Sequence, residues 1–344
     1  MTTTTPKILL TGAIGYVGGT VLHYILASSH PALKDTTISV PIRDLADIDF
    51  ITEISGQHDI INADTGFHPH SAKAMVRGLA RCKESTNKEV WMIHTSGCSN
   101  ISDKLPTGQA FPDREWDDAK AEKIYEFEKT EDERELYSQR TSELAVLDTG
   151  IGVGVNAGMF QSAGFMIPIM MQYVLTKGYG FALGDSTGVI DHVHVSDLVE
   201  LYVLCLLNIL EHGGKEVPMG ERGILFPALG RVRMKDTAQG CLDVAFAAGV
   251  LPKADCPQTK QVRVVDLTEA ATTTAGNSVV AGVGWGSHRK TKGTVAKERL
   301  GWVPTKCERA WQKDLEDELK FALEGKRGVT IDGCIAEENG SLKK

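Results

Sequence analysis

Three glycines at a spacing of three, Gly12, Gly15 and Gly18, follow the apolar run 8–10 and precede a helix-like segment at 20–27. A strand feeding a glycine-rich turn that opens a helix is suited to a pyrophosphate. Gly12 permits the tight turn, Gly15 lets backbone approach phosphate, and Gly18 lets the helix pack on the strand. The helix N-terminus then offers free N–H groups and positive dipole to the anion. The competing reading is a glycine-rich turn without a ligand. Two histidine pairs, His68/His70 and His192/His194, each place imidazoles on one face of an extended segment. No Asp, Glu or Cys nearby completes a metal set, so His192 and His194 read as structural hydrogen-bonding groups and no metal is expected. His68 and His70 can donate protons or simply be solvated. Met159, Phe160, Phe165, Met166, Met170 and Met171 suit either a pocket wall for a bulky apolar ligand or core, with core favoured for Met170 and Met171.

The elements that must position these groups alternate. Residues 38–42, 59–63, 90–94 and 151–155 read as strands, 71–82 as helix, 102–115 as loop and 116–148 as charged and largely helical. Such βα alternation implies an α/β fold with a doubly wound parallel sheet. Further on, 164–175, 197–210, 236–248 and 307–324 read as helices and 190–195 as a strand, while the Thr- and Gly-rich stretch 270–286 has weak local preference. The expected organisation is a dinucleotide-binding domain at 1–160, a mixed region at 161–325 that completes the sheet and forms a smaller substrate lobe, and a loose tail at 326–344.

The chain has 344 residues, 42% of them hydrophobic, and a formal net charge of −8. That charge argues against nucleic acid or an anionic membrane as the main partner and leaves a small-molecule substrate. No apolar run is long enough to span a bilayer. The seven scattered cysteines form no Cys-x-x-Cys pair and read as reduced residues of a cytoplasmic protein.

Four segments, in order, resemble the extended short-chain dehydrogenase/reductase family of NAD-dependent epimerases and dehydratases, with fungal members most similar. They are Thr11-Gly12-Ala13-Ile14-Gly15-Tyr16-Val17-Gly18, Ile93-His94-Thr95-Ser96-Gly97, Val193-His194-Val195-Ser196-Asp197-Leu198, and Ala296-Lys297-Glu298-Arg299-Leu300-Gly301-Trp302-Val303-Pro304. The resemblance implies a Rossmann-type fold and a nicotinamide cofactor. It makes Gly12, Ile14, Gly15, Tyr16, Val17, Arg43, Asp64 and Asn156 the candidate cofactor-binding residues. NAD-preferring members carry an acid where the second strand here ends in Arg43, and a guanidinium there can pair with a 2′-phosphate, which points to NADP. The competing reading is a surface Arg paired with Asp44.

The chain departs from the family at the reacting centre. The family's Tyr-x-x-x-Lys places the proton donor and its cation on one helix face. Here Thr141 stands four residues after Tyr137, with Arg140 the nearest cation. A literal match, Tyr125 to Lys129, lies upstream in an acidic run and reads as a solvated helix. The segment 43–59 has room for one short helix, so the third strand of the usual order is expected to be lost or vestigial. Ile14 replaces a hydroxyl residue of the turn, and Asn156-Ala157-Gly158 replaces a Pro and Tyr-Gly segment. Ser96 and Tyr137 are the candidate catalytic residues. The expected function is an NADP-dependent reductase of a carbonyl or imine in a small metabolite, including a secondary metabolite. The alternatives are a non-redox cyclase, dehydratase or isomerase on the same scaffold, and a catalytically silent NADP sensor. A homodimer is the assembly the resemblance implies.

Overall fold

The computed structural model describes residues 5–41, 46–103, 109–156, 159–160, 166–251, 260–306 and 308–326, and for 152–156, 159–160 and 308 only the backbone. The strands are β1 (Lys7–Leu10), β2 (Thr37–Ser39), β3 (Ile60–Ala63), β4 (Trp91–Ser96), β5 (Glu115–Asp117), β6 (Gly152–Asn156), β7 (Met159–Phe160), β8 (Gly180–Leu183), β9 (Val189–His194), β10 (Ile224–Leu225), β11 (Gly230–Arg233), β12 (Val262–Val265) and β13 (His288–Lys292). The first half carries helices α1 (Tyr16–Ala27), α2 (Pro31–Lys34), α3 (Ile48–Ser55), α4 (Pro69–Thr86), α5 (Ala121–Arg134) and α6 (Ser138–Leu147). The second carries α7 (Met166–Lys177), α8 (Val195–His212), α9 (Met234–Ala247), α10 (Leu267–Ala271), α11 (Ser278–Trp285), α12 (Thr294–Glu298) and α13 (Glu308–Leu323).

The main sheet runs β10-β6-β4-β3-β1-β2, with every pairing parallel. Its strands are buried on both faces, which is why they read as apolar runs and not as alternating ones. Ile8 and Leu10 face α1 and α8, while Leu9 between them faces α3 and α4. The three-residue β2 is the edge, and among the described residues no strand pairs outside it. Among the described residues the third strand of the usual order is missing, and α3 is the element found between β2 and β3.

A second sheet runs β11-β9-β13-β5, with β7 joined through β9, and a lobe of helices from the second half packs on it. The lobe core gathers α7, α9 and α13 around Met170, Met171, Leu242 and Leu315. The charged stretch 116–148 is two helices, and α5 is not solvated all round. Its Ala121, Ile124, Tyr125 and Glu128 form one buried stripe at helical spacing. The weak stretch 270–286 is mostly helical. Asp266 accepts from the Glu269 N–H to cap α10, Asn277 accepts from the Val280 N–H to cap α11, and Ala281 and Trp285 are buried in the lobe. Capping and tertiary burial override the low helix preference of Thr and Gly there.

Candidate active site

Parallel strands put the ends of β1, β3 and β4 at one edge of the sheet, where ligands of such folds bind. After β1 the chain turns at Gly12 with φ +66°, a conformation open to glycine, and Gly15 caps α1 without a side-chain bond. A Cβ on Gly18 would lie 2.4 Å from the Gly12 carbonyl oxygen, so only glycine lets α1 sit this close to the turn. Val17 is buried and contributes only backbone to the cradle, while the Ile14 side chain is fully exposed. The Tyr16 phenol is turned away, and burial together with Asp314 and Glu318 of α13 raises its pKa. This turn fits a pyrophosphate, with one opposing group. Asp64, beyond β3, places its Oδ2 2.8 Å from where a Gly12 Cβ would be and 3.8 Å from that of Gly15. Burial pushes the Asp64 carboxyl up to about 6, with His68 pulling weakly the other way. Arg43 lies outside the described residues. Asn156 ends β6 opposite Ser96 in register, and its side chain lies outside them too.

Beyond the turn along the same edge is a cavity of about 120 Å³. Its apolar wall includes Phe67, Met166, Ile169, Val280, Val283 and Trp285, and its polar groups include Ser96, Ser99, Tyr137, Gln139 and Arg289. Met166 is therefore pocket wall, while Met170 and Met171 are core. Met159 and Phe160 have only their backbone described, and Phe165 lies outside the described residues.

Tyr137 is the residue before α6, in extended conformation, and lines the cavity. Its hydroxyl donates to Ser99 Oγ at 3.1 Å, and Ser99 Oγ donates to Gln139 Oε1. Thr141, at the position of the missing lysine, is bonded to Asp132. The pair at i,i+4 that faces the strand ends is Gln139 and Glu143. The Gln139 amide lies across the chain after β3 and β4, 3.5 Å from a Gly66 Cβ position and 2.7 Å from that of Gly97.

Ser96 is committed to a buried network: its Oγ donates to Glu143 Oε2 at 2.9 Å and accepts from Asn100 Nδ2 at 3.1 Å. Glu128 of α5 sits against Glu143, and burial together with that second carboxyl raises its pKa well above the usual range. Two buried carboxyls in contact cannot both ionise, so the pair shares a proton. Arg140 lies beside them, donating through Nε and Nη2 to the Asn100 carbonyl. Arg289, Gln139, Glu143 and Ser99 were not singled out by sequence. The i,i+4 spacing of Gln139 and Glu143 and the place of Glu128 on an apolar stripe are the signals that mark them. Arg289, between His288 and Lys290, has none.

The remaining candidates lie elsewhere. Tyr125 donates to Asp148 at 2.7 Å, and Lys129 is exposed, so neither reaches the cavity. His68 is the residue before α4, with no side-chain bond capping it, and His70 lies in the first turn. His194 Nδ1 accepts from the Ser196 N–H to cap α8, and His192 stacks on Trp311 at 4.4 Å. Among the described residues no group of His, Cys, Asp and Glu is arranged to hold a metal, and no helix is long and apolar enough to cross a membrane.

The fold is shared with solved dehydratase and epimerase structures. The dTDP-glucose 4,6-dehydratase of Bacillus anthracis, solved with NAD, superposes with a TM-score of 0.58 at 11% identity over 93% of this chain and 97% of that one. UDP-glucose 4-epimerase from Thermotoga maritima gives 0.53 at 14% identity, over 93% and 99%. In sequence, the chain is similar to Oxidase ucsJ of an Acremonium species, 24% identical over 87% of this chain and 93% of that protein. No protein-family model matches the chain.

Proposed function

We propose that this protein is an oxidoreductase that binds a nicotinamide dinucleotide along the Gly12–Gly18 turn and reduces a carbonyl or imine of a small organic molecule in the adjoining cavity. The observation that carries this reading is the continuity of the two. The uncapped N-terminus of α1, the Gly66 backbone and the Tyr137–Ser99–Gln139 chain line one sheet edge in succession. The cofactor of the solved dehydratase and the oxidase name of the sequence relative agree with it. When bound, the dinucleotide supplies or accepts hydride at the nicotinamide ring. The chain's own part is proton delivery and orientation. Tyr137 lines the cavity with its hydroxyl donating to Ser99; in the reaction it turns that O–H from Ser99 to the substrate and protonates the oxygen or nitrogen left negative by reduction. Gln139 fixes Ser99, and the apolar wall excludes water from the reacting group. NADP is the preferred form in this reading, with Arg43 on the 2′-phosphate, and the enzyme works in the cytoplasm.

Calorimetric titration with NADPH and NADH tests this reading. Binding of NADPH that weakens in Arg43→Ala supports it, and no binding of either nucleotide at about millimolar concentration, a free energy near 4 kcal/mol, overturns it.

A second reading rests on the Ser96–Glu143–Glu128 network, which stores a proton behind Ser96 of the cavity wall without any cation at the lysine position. On it, the scaffold holds a reactive substrate for dehydration, cyclisation or isomerisation, by orientation and proton transfer alone. Product formation with no change in nicotinamide absorbance distinguishes it from the first.

A further inference from the structure

The cavity holds a group that neither reading uses. Arg289 projects from β13 into the apolar wall and is 4% exposed. One of its nitrogens, Nη2, donates to the Gly284 carbonyl at 2.7 Å and lies 3.8 Å from Met234 Sδ, while the buried Nε has no hydrogen-bond partner. No carboxylate pairs with it among the described residues. Besides Cys98 and Tyr137, the two carboxyls that act on its charge are Asp103 and Asp191, and both are taken. Asp103 accepts from the His288 N–H, from the His288 ring and from the Phe111 N–H. Asp191 accepts from Arg231 and Thr291. Neither fills the guanidinium's donors.

A buried guanidinium with open donors is unfavourable in a free protein, because it gives up water without a replacement. It is the arrangement expected where a ligand brings the missing partner. A guanidinium presents a planar fork that matches a carboxylate in two parallel hydrogen bonds. The walls around it, Phe67, Val280, Val283 and Trp285, are apolar or aromatic and ask for a hydrocarbon body. The volume, about 120 Å³, admits a small one.

We propose that the substrate is a small organic acid whose carboxylate is paired by Arg289 while its apolar body lies against Phe67 and Val283. This deepens the reductase reading, since it names the class of molecule presented to Tyr137. It does not depend on the dinucleotide for its test.

The full chain is titrated by calorimetry with benzoate and with benzamide, its neutral counterpart of the same shape, in the absence of nucleotide. Benzoate is expected to bind at least about tenfold more tightly than benzamide, the range of a charge-assisted pair. Arg289→Met is expected to bring benzoate down to the benzamide level without lowering the melting temperature, since it removes an uncompensated buried cation. If that variant does not fold, Arg289→Lys decides. It keeps the charge and loses the fork, and its benzoate affinity should fall while its benzamide affinity holds. Equal binding of the two probes, no binding of either, or undiminished benzoate binding in the folded variant overturns the proposal. Nucleotide binding is measured separately, so loss of NADPH binding with benzoate recognition intact removes the reductase reading and leaves the acid site standing.

Discussion

Asp64 is the residue on which the proposed cofactor site turns. Its carboxyl is buried beside the cradle and pushed from 3.8 up to about 6. In the folded chain it holds a proton that the unfolded chain has released. The stability it lends is therefore full below 3.8 and lost as pH rises through about 6, by about 3 kcal/mol. His94 has the opposite sign. Burial pushes it down to about 4, so its neutral folded form favours folding above 6.5 and loses that advantage as pH falls through about 4. A difference between wild type and Asp64→Asn cancels His94. In urea unfolding the Asn variant should be more stable at pH 8 by about 2–3 kcal/mol, with the gap closing towards pH 4. A gap that stays constant with pH would place the carboxyl in water. The same substitution should tighten dinucleotide binding at pH 8 and leave it unchanged at pH 5, because only the ionised carboxyl opposes the pyrophosphate. A second residue-scale expectation concerns proton delivery. Tyr137→Phe should lower turnover on a substrate by about 10²–10⁴-fold with nucleotide affinity unchanged. Asp64 and Tyr137 were visible in the sequence by position alone. The burial that gives Asp64 its sign and the extended backbone that aims Tyr137 are tertiary facts, and no local pattern encodes them.

At the scale of elements, two of the motifs that carry the family likeness turn out to be one clamp. Asp197, in the first turn of α8, accepts from the Thr305 N–H and Oγ1 and from the Lys306 N–H, each at 2.9 Å. Its own carbonyl accepts from Trp302 Nε1 at 2.7 Å. The motif Val193–Leu198 thus holds the motif Ala296–Pro304 against the core beneath α1 and α8. Asp197→Ala leaves three donors open and should destabilise the fold by about 2–4 kcal/mol. A loss below about 0.5 kcal/mol in urea unfolding would show that the clamp adds nothing to the packing of Trp302. Such motifs, and the apolar strands of the parallel sheet, were legible because their pattern is local and their burial on both faces is uniform. The helices α10 and α11 were not, since Thr and Gly hide an apolar face that only the lobe core selects. Nor was the face of α5 that ends in Glu128, where a carboxyl occupies an apolar position because Glu143 shares its proton. Glu128→Gln should supply the shared hydrogen bond without a titrating proton, so its stability relative to wild type should be greater at pH 9 than at pH 5, read by the same unfolding assay.

The whole molecule is tied together by strands that cross between its halves. The main sheet ends on β10, from the second half of the chain, and the second sheet ends on β5, from the first. Buried carboxylates fasten the exchange. Asp118 accepts from the backbone N–H groups of Phe226, Thr294 and Val295, and Asp103 from those of His288 and Phe111. A chain of 344 residues is long enough for two domains that unfold in turn. Here neither half can open without stripping a strand from the other and leaving buried N–H groups unpaired, at about 1–3 kcal/mol each. The tryptophans report on both sides, with Trp91 and Trp302 in the core under α1 and α8, and Trp285 and Trp311 in the lobe core. Unfolding in urea should therefore be a single transition, coincident by fluorescence and far-ultraviolet circular dichroism. Asp103→Ala should move its midpoint to lower urea by the equivalent of about 3 kcal/mol. If the second half depends on the first only through this anchor, the same substitution will split the curve in two. If the exchanged strands carry the coupling, as the pairing of β5 with β13 and of β10 with β6 implies, the transition will stay single and only its position will shift.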